Sequence, residues 1–262
     1  MTSYTLPTNA IRKQRPLAHW AFLLGIFTAA AFFIPYIAIG KGYFLFYGDF
    51  NVQQVPFYQL CHKAVRAGDI GWSFGTDLGA NFVGSYTFYL LGSPFFWLTL
   101  PFPNAVVPYL MGPLLILKFG CASLTAYLYI RRFVRHSESA LLGGLLYAFS
   151  GFSVYNIFFN HFHEAIIVFP LLLLSIEMHI TEKRRGVFAG MVCVAALTNY
   201  FFFYGMVVFS VLYWFIRTVS GNWKQTFKGF LSLAFEAVLG LLMSLVLLLP
   251  TVLCVLQNNR LS

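Results

Sequence analysis

Runs of apolar residues longer than the ~20 that a helix needs to cross a bilayer recur along this chain, with short clusters of Lys and Arg between them. The first, Leu17–Ile39, follows Arg12, Lys13 and Arg15. It is too long for the core of a secretory signal and lacks a clear small-residue cleavage site, so it reads as a retained anchor with its N-terminus in the cytoplasm. Of the 262 residues 59% are hydrophobic and 10% charged, against about a quarter charged in a soluble domain. The fold class is therefore an all-α polytopic membrane protein, with the lipid bilayer as its first partner. A net charge of +9 would suit nucleic acid, but the cations sit between spans, where they set orientation, and nucleic-acid binding is excluded. Cys61, Cys121, Cys193 and Cys254 are widely spaced with no C-x-x-C pair, which indicates neither a zinc site nor a disulfide framework.

Taken in order, the charges prescribe an alternation. Gly40 emerges on the outer side, and 40–104 forms a first extracytoplasmic loop. Within it, Phe57, Leu60, Cys61, Ala64 and Val65 recur at helical spacing, opposite Gln59, His62, Lys63 and Arg66. Pro56 suits a first turn and Gly68 a C-terminal cap, which predicts an amphipathic helix on the outer membrane surface over Pro56–Ala67. Tyr86–Leu100 is apolar but short and is interrupted by Pro94. If it crossed, Arg131, Arg132 and Arg135 would fall outside, so it reads as re-entrant. Ala105–Ile130 returns inward, Ser139–Phe158 goes outward and Ala165–Ile180 comes back. Val187–Ile216 is apolar between two basic loops, and parity demands two short helices turning at Thr198-Asn199-Tyr200. Phe230–Pro250 then runs outward to the polar Gln257, Asn258, Asn259 and Arg260. The expectation is one transmembrane domain over 1–262, with about seven spans and one re-entrant piece. The polar stub suggests an N-terminal part of something longer.

The polar residues are asymmetric. Inner loops carry Lys and Arg, whereas Asp49, Gln53, Asp77, Asn81, His161, His163, Glu164, Asn199 and Tyr200 fall at outer ends. An ionisable group at a membrane boundary is a functional candidate, and general-base work needs a carboxylate or imidazole. Asp49 leads for that work, although Asp before Asn51 also suits a helix cap. His161, His163 and Glu164 form a His-x-His-Glu run that could hold a divalent metal, contact a phosphate or simply hydrogen-bond at a loop tip. Asn199 and Tyr200 could bind a ligand or cap a tight hairpin. Tyr86, Phe88 and Tyr89 could stack on a sugar or sit in an aromatic belt. Arg66, Lys63 and Lys118 could neutralise a phosphate or snorkel, and Lys118, in the middle of a span, faces other helices or a cavity.

The ordered set of residues has a resemblance. Asp49 with Gln53 and Pro56-Phe57, then Gly68, Trp72 and Asp77-Leu78-Gly79-Ala80-Asn81, are followed by Tyr89, Ser93-Pro94 and Pro101. Tyr147-Ala148-Phe149-Ser150-Gly151, Pro170-Leu171, and Thr198-Asn199-Tyr200 running to Tyr204-Gly205-Met206 complete it. This resembles the N-terminal membrane part of the YfhO family of bacterial membrane proteins. The resemblance implies a GT-C-type glycosyltransferase architecture that moves a sugar from a polyprenyl-phosphate carrier to a cell-envelope acceptor such as teichoic acid. It implies a site on the outer face of the cytoplasmic membrane, with Asp49 as the central acid. Beside it, the polar residues gathered at the outer ends, Gln53, Asp77, Asn81, Glu164, Asn199 and Tyr200, with Arg66, read as substrate-binding companions. The two histidines before Glu164 depart from the aromatic–acid pattern expected there. A transporter or lipid flippase is the alternative, since such proteins also carry polar residues in broken helices.

Overall fold

The computed structural model describes residues 17–76, 78–223 and 226–256. The basic N-terminal flank, Asp77 and the polar stub from Gln257 onward lie outside the described residues. The chain is helical nearly throughout: α1 Ala18–Ile39, α2 Val55–Ala67, α3 Phe82–Tyr86 continuing as a π-turn over Thr87–Leu91, and α4 Pro94–Trp97. After these come α5 Val107–Ile130, α6 Ser137–Ala148, α7 Gly151–Tyr155, α8 Phe162–Thr181, α9 Val187–Thr198, α10 Tyr200–Val219 and α11 Phe227–Leu256. A two-residue ladder, β1 Trp72–Ser73 with β2 Ala80–Asn81, closes part of the first loop. With every backbone group bonded inside its own segment, helices are what a chain this apolar must form in lipid.

Among the described residues six helical stretches are long and apolar enough to cross a membrane, α6 counting together with α7 and the turn that follows it to Phe158. The seventh crossing expected from charge parity corresponds to α9, which at 12 residues reaches about 18 Å, short of a ~30 Å hydrocarbon core. Its C-terminal end meets the re-entrant segment, where Gly92 lies so close to the Leu197 carbonyl that no side chain could fit. Two half-length elements thus meet inside the bundle, and protein surrounds the broken backbone, as an apolar solvent requires. The break at Thr198-Asn199-Tyr200 falls where it was expected, with Asn199 extended and α10 starting at Tyr200.

Amphipathicity does not organise these helices, because lipid is as apolar as the core. The buried stripe of α1 is instead marked by size, with Ala21, Gly25 and Ala29 at a spacing of four and Phe33 completing it. A Cβ on Gly25 would stand 2.9 Å from the Gly120 Cα of α5 and 3.0 Å from the Ser123 Cβ, the close approach by which helices associate in membranes. Replacing Gly25 by Val is expected to cost about 1–3 kcal/mol through overpacking, read as a lower unfolding midpoint in detergent. An unchanged midpoint would show that the α1–α5 contact yields freely.

The amphipathic helix forms as predicted, with Pro56 in its first turn and Gly68 left-handed at its end. One side chain differs. His62, expected on the polar face, is fully buried beside Tyr58 and Cys61, because the re-entrant segment and α5 cover that side as well. At the end of the bundle where the basic loops lie, Arg132 and Glu182 pair at 2.6 Å. Glu236 of α11 accepts from Gly186 N at 2.8 Å and Ala189 N at 3.3 Å, so a carboxylate from another helix satisfies the first free amides of α9.

Candidate functional site

The site lies at the opposite end and is built in two tiers. Gly48, with φ +64, turns the chain off the strand-like exit of α1 and sets Asp49 immediately before the π-turn Phe50–Gln54. Asp49 and Gln53 are half-buried, and Gln54 is wholly buried. The Gln54 amide donates to the Gln53 side chain at 3.4 Å, and its oxygen lies 3.3 Å from His161 Nδ1. Tyr89 joins from the re-entrant segment. Burial raises its phenol above the ordinary 10.0, the Asp49 carboxylate adds to this, and a hydrogen bond with Gln53 works against it. Phe88 and Tyr89 contact the His161 ring at 4.8 and 5.2 Å between centroids, and Tyr200 stacks obliquely on Phe88 at 5.2 Å. Four separate segments therefore meet: the first loop, the re-entrant piece, the turn before α8 and the start of α10.

The lower tier is an ion pair sealed in the bundle. Lys118 Nζ lies 2.8 Å from Glu164 Oε1, both side chains being 1% exposed or less. The ammonium also donates to the Asn160 carbonyl at 2.9 Å and to Asn160 Oδ1 at 3.1 Å. Ser93, at the tip of the re-entrant segment, donates to Glu164 Oε1 at 2.6 Å, and Asn160 reaches the Tyr58 hydroxyl at 3.5 Å. A charge at this depth persists only when paired and hydrogen-bonded, and here each charge has both. Glu164 Oε2, His161 Nε2 and His163 Nε2 are buried without a partner, so the pair is surrounded by polar atoms with unused capacity.

The structure does not bring every expected residue into this group. Arg66 is exposed and donates to the Phe102 carbonyl at 2.8 Å, tying the end of α2 to the approach to α5. Asn81 caps α3, accepting from Gly84 N at 2.8 Å, and Asn199 caps α10, accepting from Phe202 N at 3.2 Å. Both make the side-chain cap that Asn favours at a helix start. His161, His163 and Glu164 diverge. The first faces Gln54, the second packs on Phe119 at 5.0 Å towards the Ser153 and Asn156 backbone, and the third is held by Lys118. No three metal-ligating side chains gather among the described residues, so the His-x-His-Glu run does not fit a metal. Sequence reasoning missed Ser93, Asn160, Tyr58 and Gln54 as partners. Lys118 in mid-span was the one signal that a buried acid had to exist.

Burial, with the Lys118 charge adding to it, pulls the His161 pKa from 6.5 to about 3, so the ring is neutral in the folded protein. The unfolded chain then binds the extra proton, and the stability from the neutral ring is complete above 6.5 and lost as pH falls towards 3. His161→Gln is expected to flatten the acid limb of an unfolding-versus-pH curve measured in detergent over that window. A limb that keeps its slope would place the titrating group elsewhere.

A family model described as "Bacterial membrane protein YfhO" matches residues 21–262. The chain belongs to the YfhO family. A Bacillus subtilis (strain 168) relative, "Uncharacterized protein YfhO", is 25% identical over 235 residues, covering 79% of this chain and 26% of that protein. This YfhO-family chain therefore spans about a quarter of the relative's length. No solved structure matches it. The family and the six long apolar helices make it a multi-pass membrane protein of a bacterial family.

Proposed function

We propose that this chain carries the donor site of a membrane glycosyltransferase that takes sugar from a polyprenyl-phosphate carrier and passes it to an envelope polymer such as teichoic acid, on the extracytoplasmic face. The observation that supports this reading is the meeting of Asp49, Gln53, Tyr89 and His161 from distant segments at the end of the bundle opposite the basic loops. Amides, a phenol and a neutral imidazole suit sugar hydroxyls, which both donate and accept. Asp49 is the base. It takes the proton of the acceptor hydroxyl while that oxygen attacks the sugar carbon, and the bond to the carrier phosphate breaks with its electrons leaving on the phosphate. The exposed face of α2, with Lys63, supplies positive charge at the interface where the phosphate lies. The buried pair Lys118–Glu164 takes no part in the proton transfer. It holds the turn Asn160–His161 and the re-entrant tip in register beneath the site.

Analysis of envelope polymers from a strain lacking the full-length protein tests the reading. Loss of one sugar substituent, restored by the wild-type gene, is expected, and an unchanged set of sugars would overturn it. The second reading, a transporter or flippase, is favoured by the charged pair buried in mid-span. It predicts that Lys118 variants abolish function while Asp49 variants spare it. Two partly open cavities on the flank of the bundle, of about 540 and 320 Å³, are lined almost wholly by apolar side chains and offer no polar path.

A further inference from the structure

The larger of those cavities lies away from the candidate site, between α8, α9, α10 and α11. Leu172, Phe188, Val192, Phe203, Val211 and Ala234 contribute to its wall. Along α10 it runs from Phe203 to Trp214, about 16 Å at 1.5 Å per residue, or about half of a ~30 Å hydrocarbon core. That is the depth of one leaflet, the one on the side of the basic loops, since α9 and α11 contribute from their ends at those loops, with Phe188 and Val192 on α9 and Phe230 to Leu241 on α11.

Two observations say what fills it. First, α10 places Ser210, Trp214 and Arg217 on one stripe at spacings of four and three. Ser210 Oγ, Trp214 Nε1 and Arg217 Nε are all buried without an acceptor, and Ser210 and Trp214 line the cavity. Arg217 is paired through its Nη2 with Glu177 at 2.9 Å, so its Nε alone is without an acceptor. Buried donors left so are costly, and the Ser210 hydroxyl and Trp214 indole on the groove wall, with the Arg217 Nε one turn on, point to a ligand rich in acceptor oxygens. Second, the three loops at this end carry a cationic surplus. Arg131, Arg132, Arg135, Lys183, Arg184, Arg185, Arg217 and Lys228 stand against Glu138, Glu177, Glu182 and Glu236 among the described residues. Basic pockets between membrane helices attract anionic head groups.

We infer that this cavity is a binding site for one anionic glycerophospholipid, its acyl chain between α10 and α11 and its ester and phosphate oxygens along the Ser210–Trp214–Arg217 stripe. The inference goes beyond the sugar-transfer reading and does not depend on it, because the site is on the other face and the test uses no sugar.

The test uses the full-length protein, delipidated in detergent and offered phosphatidylglycerol or phosphatidylcholine with brominated acyl chains. Brominated phosphatidylglycerol is expected to quench tryptophan fluorescence at about tenfold lower concentration than the zwitterionic lipid, as one to two added cationic contacts would give. The difference in quenching between the two lipids is expected to be lost in Trp214→Phe, which leaves only the other tryptophans to report, and Ala234→Trp is expected to lose one retained lipid in native mass spectrometry. Val208→Trp, on the exposed outer face of α10, controls for the added ring and should retain the lipid. Equal quenching by both lipids, or a preference for phosphatidylglycerol that survives Trp214→Phe, overturns the site. So does a retained lipid in a folded Ala234→Trp.

Discussion

Lys118→Met is expected to lower the unfolding free energy in detergent by about 3–5 kcal/mol, the cost of leaving a buried partner charge uncompensated. The size follows from enclosure. Glu164 is 1% exposed, and without the ammonium it keeps only the Ser93 hydroxyl on Oε1, Oε2 having no partner already. Asn160 would lose both of its contacts to Lys118 at once. Pairing Lys118→Met with Glu164→Gln is expected to recover much of the loss, since no charge is then stranded. A double-mutant cycle from equilibrium unfolding measures that coupling. A single-variant cost below about 1 kcal/mol, the range of exposed pairs, would show that water reaches the pair.

In the full-length protein, Asp49→Asn is expected to reduce sugar transfer by about 10²–10⁴-fold, the range that a positioned general base contributes. Asn keeps the shape and half-burial of Asp49 and removes its ability to take a proton, so expression and membrane insertion should be unchanged. Arg66→Gln is the matched comparison. It lies on the same side of the bundle, but its guanidinium is tied to the Phe102 carbonyl, and its loss should leave the turnover number nearly unaltered. Envelope-polymer analysis of strains complemented with each variant gives the readout. Full activity in the Asp49 variant, or equal losses in both, would remove Asp49 from the role of base.

Much of the architecture was legible because bilayer physics is strict. Apolar length and the alternation of basic clusters prescribed the crossings. Pro56 and Gly68 bounded α2, and charge parity located the break at Asn199. The candidate site was legible only as a set of polar residues at one boundary. Asn81 and Asn199 belong to that boundary yet serve as caps, because a cap and a ligand contact call for the same side chain. His62 shows the same limit from the other side. Helical spacing put it with Lys63 and Arg66, and packing buried it.

The chain's order of residues, by itself, determined that this is a helical membrane protein and where its long apolar segments fall. Those outcomes depend on transfer energies and local spacing, which each segment carries alone. Tertiary structure alone decided that Glu164 meets Lys118 and Ser93, that Tyr89 meets Asp49 and Gln53, and that an apolar groove opens between α10 and α11. In lipid, apolar faces look alike to every helix, so partners are chosen by shape, by close approach at glycines such as Gly25 and Gly92, and by the few buried polar groups that must find one another.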